Sequence, residues 1–263
     1  MRTLVTGSNG TVGKAFVQAL RSGGYEVIGW DRAAAPPSDA HAVKSYTLQH
    51  KPDIIVHLAV PSVPTGLEDE GARITIDWSV QLAELAKEVG ACYLFASTAM
   101  VFSNSAPGPF RVTDAPDEED GYGGEKAKAE RAVLAANQDA VVARLGWQIG
   151  DRAGSNNMIE FLTRSMIEKE CVDASTKWMP ACSFLEDTAS ALCWCLDQPG
   201  GIYHVDSNSA GHSFADIAKA LSVLHDHTFA IVENEDFVYD QRLLDERVPI
   251  KALAERLDFD AID

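Results

Sequence analysis

A short apolar strand at the start of the chain runs straight into a series of glycines. It reads Arg2-Thr3-Leu4-Val5-Thr6-Gly7-Ser8-Asn9-Gly10-Thr11-Val12-Gly13, followed by the helix-like Lys14-Ala15-Phe16-Val17-Gln18-Ala19-Leu20. Strand, glycine turn and helix in that order is the context in which a glycine motif signals dinucleotide binding. Gly7 permits the tight turn, Gly10 lets the backbone approach a pyrophosphate, and Gly13 lets the helix pack closely on its strand, with phosphates facing the helix N-terminus. Contacts to such a ligand are expected from Gly7, Asn9, Gly10, Thr11 and Val12, and from Leu58 and Ala59 after a later strand.

The spacing is Gly-x-x-Gly-x-x-Gly, and glycines also punctuate ordinary turns, so the next segment decides. Tyr25–Trp30 reads as a second strand with Asp31 at its end, close to the roughly 20-residue offset of the acid that binds an adenosine ribose. The Asp31 carboxylate favours NAD by accepting from a ribose 2′-OH, whereas the adjacent Arg32 can pair with the 2′-phosphate of NADP. Both cofactors stay open at this point.

The chain has 263 residues, enough for one large α/β domain or a domain with a small appendage. Its 22 Lys and Arg stand against 39 Asp and Glu, a formal net charge of −17. That balance disfavours nonspecific attraction to nucleic acid or to an anionic membrane, so neither is expected as a partner. The five cysteines are odd in number and contain no Cys-x-x-Cys pair, which fits reduced thiols and offers no metal site. The apolar runs stay well short of the roughly 18 residues of a membrane span, and no targeting segment is evident ahead of the first strand. A soluble, cytoplasmic protein is the expectation.

Further along, strands and helices alternate, which predicts an α/β fold: a doubly wound parallel sheet with a small C-terminal substrate-side lobe. Asp53–Val60, Cys92–Ala96 and Ala140–Arg144 read as strands; Trp78–Val89, Glu125–Asn137 and Asn157–Glu168 read as helices. A Rossmann-type core is expected over residues 1–150. Residues 151–263 should complete the sheet and form the lobe, with Gly201–Val205 a strand and Ser213–Leu224 a helix. Ala33–Asp39 is a loop. The acidic, proline-containing stretch Ser105–Gly121 is either an active-site wall or a solvated surface loop.

Chemistry enters with Tyr122-Gly123-Gly124-Glu125-Lys126. At the start of a helix, a four-residue separation puts Tyr122 and Lys126 on one face, where both can meet a single cofactor. A phenol is a poor base at neutral pH and needs a nearby cation to stabilise its anion, which Lys126 can supply. A Tyr-x-x-x-Lys pair is common by itself. Here it lies downstream of Ser97-Thr98 at the C-terminal end of a strand, the edge where open α/β sheets bind ligands. Thr98 can hold a substrate carbonyl while Tyr122 donates a proton and a nicotinamide delivers hydride.

With these residues in view, the chain resembles the extended short-chain dehydrogenase/reductase superfamily, and within it the dTDP-4-dehydrorhamnose reductase-like family. The likeness rests on Thr6-Gly7-x-x-Gly10-x-x-Gly13, Pro52–His57, Ser97-Thr98-x-x-Val101-Phe102, Tyr122-Gly123-x-x-Lys126, Arg144-x-x-Trp147, Asn156-Asn157 and Gly201–His204. The resemblance implies an NAD(P)-binding Rossmann-type domain and a Thr98/Tyr122/Lys126 catalytic set. It further implies reduction of a keto group on a small-molecule substrate, a nucleotide-linked deoxysugar. Substrate contacts would come from Thr98, Ala99, Met100, Trp147 and Asn157, and a homodimer is a further expectation. Where relatives often read Ser-Thr-Asp-Tyr-Val-Phe, this chain has Ser97-Thr98-Ala99-Met100-Val101-Phe102, a smaller and more apolar wall.

The same superfamily also contains uronate dehydrogenases running in the oxidative direction and the non-catalytic subunit of methionine adenosyltransferase, so both stand as alternatives. Other residues have plainer explanations. His57 reads as a structural histidine, Trp178, Trp194 and Tyr203 as packing groups, and His225 and His227 as turn residues. Arg164, Lys169, Lys177, Arg242 and Arg247 are candidates for a substrate phosphate, most of them ordinary surface charges.

Overall fold

The computed structural model describes residues 1–61 and 69–261. The first half runs β1 (Arg2–Thr6), α1 (Thr11–Ser22), β2 (Glu26–Gly29), α2 (Ala40–His50), β3 (Ile54–His57), α3 (Glu70–Ala72), a π-helical turn at Arg73–Asp77, α4 (Trp78–Val89), β4 (Cys92–Thr98), β5 (Phe110–Arg111) and α5 (Gly121–Ala136). The second half runs β6 (Val141–Leu145), β7 (Trp147–Ile149), α6 (Met158–Lys169), β8 (Val172–Ser175), β9 (Trp178–Met179), β10 (Cys182–Phe184), α7 (Leu185–Cys195), β11 (Gly201–Val205), α8 (Phe214–Leu224), β12 (Ile231–Asn234), β13 (Tyr239–Asp240) and β14 (Leu243–Leu244).

Six strands form one sheet in the order β11-β6-β4-β3-β1-β2, every pairing parallel. Central strands such as Ile54–His57 and Val141–Leu145 are buried along their whole length, as both-face coverage requires. On one face Phe16, Val17 and Leu20 of α1 and Ala189, Leu192 and Cys195 of α7 pack against Val5, Val56, Leu94 and Val141. On the other face Leu82 and Ala86 of α4 and Ala129 and Val133 of α5 close over Ile55, Tyr93 and Val142. The strand order reverses between β1 and β3, the crevice where such sheets hold their ligands.

The residues after 150 do two things. They return α7 and β11 to the main sheet, and they build a lobe from two-stranded parallel pairs, β10 with β7, β12 with β8, and β13 with β9. The lobe has its own apolar core of Ile149, Leu162, Phe184, Phe214, Ile217 and Leu221. Ser105–Gly121 is less irregular than its composition suggests. Phe110 stacks on Phe102 at 3.9 Å between ring centres, Phe110 N donates to Arg242 O at 2.8 Å, and Glu118 N donates to Val101 O at 3.1 Å. The segment is thereby folded onto the turn that follows β4. Among the described residues no helix is long and apolar enough to cross a membrane, and no group of His, Cys, Asp and Glu is placed to hold a metal ion.

Candidate active site

Three glycines shape the cofactor end, each for a different reason. Gly7 has φ +66°, and a Cβ there would lie 2.7 Å from the Leu58 carbonyl carbon and 2.8 Å from Ala59 N. Gly13 is held even more tightly, since its Cβ would sit 2.0 Å from Gly7 O. Gly10 is under no such constraint: its Cβ would meet only Gly7 O, at 3.2 Å. The protein's own packing therefore explains Gly7 and Gly13, whereas bareness at Gly10 leaves room outside the turn for a ligand at the start of α1. Leu58 and Ala59 are fixed beside this turn because Leu58 N donates to Thr6 O and Ala59 N to Thr6 Oγ1. The Thr6 hydroxyl also meets Nδ1 of His57 at 2.8 Å, and burial holds that histidine's pKa down at about 3. It is a neutral structural residue.

Asn9 is exposed at the turn and Val12 packs partly into the core. Thr11 Oγ1 touches Ser155 Oγ, so the loop before α6 reaches back to the N-terminus of α1. Asp31 stands at the end of β2 on the same edge, with Oδ1 accepting from Ala33 N at 2.8 Å and from Ala34 N at 3.4 Å. Arg32 beside it is exposed and makes no ion pair with a described residue.

The catalytic end is assembled by close backbone approach. Thr98 closes β4, and its Oγ1 accepts from Met100 N at 3.2 Å, capping a 3₁₀ turn at Ala99–Val101. The Thr98 hydroxyl proton remains free to be donated. The N-terminus of α5 rests on this turn, since a Cβ on Gly123 would be 2.0 Å from Met100 O, and the approach to α5 folds back on it, since a Cβ on Gly124 would be 2.3 Å from the Glu119 carbonyl carbon. Only glycines allow that seam, and it brings Tyr122 and Lys126 to the end of β4.

Lys126 is buried to 1% exposure, donates from Nζ to Ala96 O at 2.8 Å, and lies 4.4 Å above the Phe95 ring and 5.9 Å from the centre of the Tyr122 ring. Tyr122 is 38% exposed overall, but its hydroxyl is crowded by protein, and that desolvation, followed by the charge of Glu125, raises its pKa to about 12. Lys126 itself is lowered to about 7, because burial outweighs the attraction of Glu130 and Glu125. The phenol therefore keeps its proton at neutral pH, and the Lys126 ammonium gives up its proton far more readily than an exposed lysine does.

The remaining substrate-side candidates divide. Met100 is half exposed beside the seam, but Ala99 is buried in the wall with Val101, Phe110 and Leu243. Trp147 belongs to an aromatic cluster, with ring centres 5.4 Å from Phe161, 5.8 Å from Phe214 and 5.9 Å from Trp178. Asn157 caps α6: Oδ1 accepts from Glu160 N at 2.9 Å, and Nδ2 donates to Gly154 O at 2.6 Å and Arg152 O at 3.3 Å. Its amide N–H groups are thus engaged by its own loop, and its oxygen holds the helix cap.

Arg164, Lys169, Lys177, Arg242 and Arg247 each face a carboxylate, respectively Glu168, Asp173, Glu235, Asp240 and Asp245. The sequence reading missed Glu125, which lies against Gly71 and acts on both Tyr122 and Lys126. It also missed the buried pair of Glu130 and Arg144. A glutamate one helical turn beyond Lys126 and an arginine ending an apolar strand were the available signals.

The parallel sheet with a glycine turn at its switch point is the architecture of the NAD(P)-dependent short-chain dehydrogenase/reductases of the extended class, to which comparison with known proteins assigns this chain. A family profile described as the RmlD substrate binding domain matches residues 1–234, and the chain belongs to that family. It is 27% identical over 223 residues to the spore coat polysaccharide biosynthesis protein SpsK of Bacillus subtilis (strain 168), covering 84% of this chain and 78% of that one. It is 32% identical over 160 residues to methionine adenosyltransferase 2 subunit beta of Xenopus tropicalis, a match spanning 57% of this chain and only 48% of that protein. A solved dTDP-4-dehydrorhamnose reductase from Bacillus anthracis str. Ames, in complex with NADP, superposes with a TM-score of 0.81 at 19% identity, covering 97% of this chain and 96% of that one.

Proposed function

We propose that this chain is an NAD(P)H-dependent ketoreductase acting on a deoxysugar nucleotide or a similar small polyhydroxylated carbonyl compound. The observation that carries this reading is the seam at Gly123, which sets a protonated Tyr122 and a buried Lys126 against the strand end bearing Thr98. A nicotinamide held here would supply the hydride for the carbonyl carbon. Tyr122 gives its phenolic proton to the carbonyl oxygen, Thr98 donates a hydrogen bond that orients that oxygen, and Lys126 holds the cofactor ribose while its charge stabilises the phenolate left behind. The pyrophosphate would lie over Gly10 and the N-terminus of α1. Its adenosine ribose would face Asp31 and Arg32, a pair that accommodates either NAD or NADP.

The test is a matched pair of variants assayed with both cofactors on nucleotide sugars, uronates and small ketones. Tyr122→Phe removes only a hydroxyl and should cut turnover by roughly 10²- to 10⁴-fold at nearly unchanged cofactor affinity. Lys126→Met should impair both. Near-normal turnover by folded Tyr122→Phe refutes the mechanism. The likeness to a methionine adenosyltransferase beta subunit supports a second reading, a nucleotide-binding regulatory subunit. Cofactor binding by the wild-type chain without turnover across the whole panel would favour it.

A further inference from the structure

Behind the catalytic helix lies a fully buried ionic group that the proposed chemistry leaves unexplained. Glu130 follows Lys126 by four residues on α5, so the two side chains are helical neighbours, at 2% and 1% exposure. A carboxylate and an ammonium so placed, away from water, are strongly drawn to pair with each other. They do not pair. Arg144, at 0% exposure on β6, takes both carboxylate oxygens: Nη2 to Oε2 at 2.7 Å, Nε to Oε1 at 3.0 Å and Nε to Oε2 at 3.3 Å. A planar guanidinium fork matches a carboxylate better than a point-charge ammonium does. The fork is itself fixed, with Nη1 3.2 Å from Nε2 of His204 and Cζ 5.0 Å from the centre of the Phe102 ring.

We propose that Arg144 is a positioning residue: by occupying Glu130 it keeps that carboxylate off Lys126, and so leaves the ammonium directed at Ala96 O and the Tyr122 ring. This rests on the reading of Lys126 as part of the catalytic set. Among the described residues, the only hydrogen bond of Lys126 is the one to Ala96 O, so two of its three N–H bonds remain for the cofactor ribose and the phenol.

The ionisable groups around Lys126 are Tyr122, Glu125 and Glu130 on its own helix, the neutral His57 on β3, and Arg144 on β6 with His204 behind it. Burial and Arg144 lower the pKa of His204 to about 4, so it adds no charge at neutral pH. Glu70, Arg73 and Asp77 lie on the segment packed against α5, and none of them is buried. Glu130 is therefore the buried anion best placed to capture Lys126, and Arg144 the group that prevents it.

The experiment follows the side-chain nitrogen of Lys126 by ¹⁵N NMR titration of the full chain without cofactor, beside NADPH binding and kcat measured against pH. Arg144→Met frees Glu130 to pair with Lys126, so the Lys126 titration should rise by a pH unit or more and kcat should fall about 100-fold. Glu130→Gln should move the same titration downward. The double variant Glu130→Gln/Arg144→Met removes the competing carboxylate together with its partner, and should recover at least tenfold of the lost turnover while titrating low. If Arg144→Met does not fold, Arg144→Lys keeps the charge but not the fork and should shift Lys126 upward by a smaller amount.

An unmoved Lys126 titration in Arg144→Lys or Arg144→Met overturns the proposal, as does a folded double variant no more active than Arg144→Met. Failure of the catalytic reading is separately visible, because it would leave Lys126→Met as active as wild type while the NMR shifts still appear.

Discussion

Replacing Gly123 by alanine sets two effects of opposite sign against each other at the seam that builds the active site. Alanine in a helix is favoured over glycine by up to about 1 kcal/mol, so a helix-propensity argument predicts stabilisation. The added methyl would lie 2.0 Å from Met100 O, 2.9 Å from Met100 C and 2.9 Å from Glu118 Cγ. The Met100 carbonyl is backbone within the 3₁₀ turn and cannot swing aside as a side chain would. Restoring ordinary contact requires the helix and turn to separate by about 1.4 Å, and overpacking of this kind costs roughly 1–3 kcal/mol.

Set against each other, the clash outweighs the helix gain by up to about 2 kcal/mol, which for a chain of this size lowers Tm by up to roughly 8 °C. A displacement of that size between Thr98 and Tyr122 should cost about 100-fold in kcat, while the glycine turn at the other end keeps cofactor affinity within about threefold. Thermal melts, calorimetry with NADPH and steady-state kinetics on the folded variant measure all three. A Gly123→Ala protein that melts at or above the wild-type temperature with unchanged kcat would refute the close-approach argument.

Other perturbations have equally definite outcomes. Lys126 has a folded pKa of about 7 against its ordinary 10.5, so between those values the unfolded chain binds the extra proton and stability rises with pH; urea midpoints should show Lys126→Met gaining most over wild type at and below pH 7 and least at pH 10. Gly10→Asp meets little protein but places bulk and negative charge at the start of α1, so it should fold and lose at least 100-fold in affinity for both cofactors by calorimetry. Asn157→Ala removes a helix cap and should cost about 1 kcal/mol in denaturant unfolding with less than a threefold change in substrate KM. A tenfold rise in KM at unchanged stability would instead make Asn157 a ligand contact.

The core of the fold was legible because its signals are local. The run from Thr3 to Gly13 carries strand, turn and helix in sequence, and Trp78–Val89 has an apolar stripe ending at a left-handed Gly90. α2 went unnoticed because it buries little more than Val43 and Thr47, so its pattern has no clear face. α7 was missed for another reason: Leu185–Cys195 follows directly on β9 and β10, strands of two and three residues too short to show a period that would mark where the helix begins.

At the site, the types and spacing of Thr98, Tyr122 and Lys126 could be read directly, but their electrostatics could not. The pKa directions depend on how deeply α5 is seated, and that follows from contacts between Gly123 and Met100, 23 positions apart and joined by an acidic segment whose order comes from distant partners rather than from its own pattern. Asn157 shows the opposite limit. A capping asparagine and a ligand-binding asparagine look alike until the carbonyls of Arg152 and Gly154 are seen around the amide.

The strand pairing of the wall sets an order of assembly. β5, which holds the segment leading to Tyr122, finds its partner in β14, more than 130 residues later, and Gly108 comes so close to Asp240 that a Cβ there would lie 1.8 Å from the Asp240 carbonyl oxygen. The glycine turn joins a strand and a helix that are neighbours in sequence, whereas the wall beside Tyr122 has nothing to close against until β14 is in place. Contacts this distant in sequence are slow to form. The turn itself thus rests on neighbours in sequence, and the wall beside Tyr122 on a pairing that must be found across more than 130 residues.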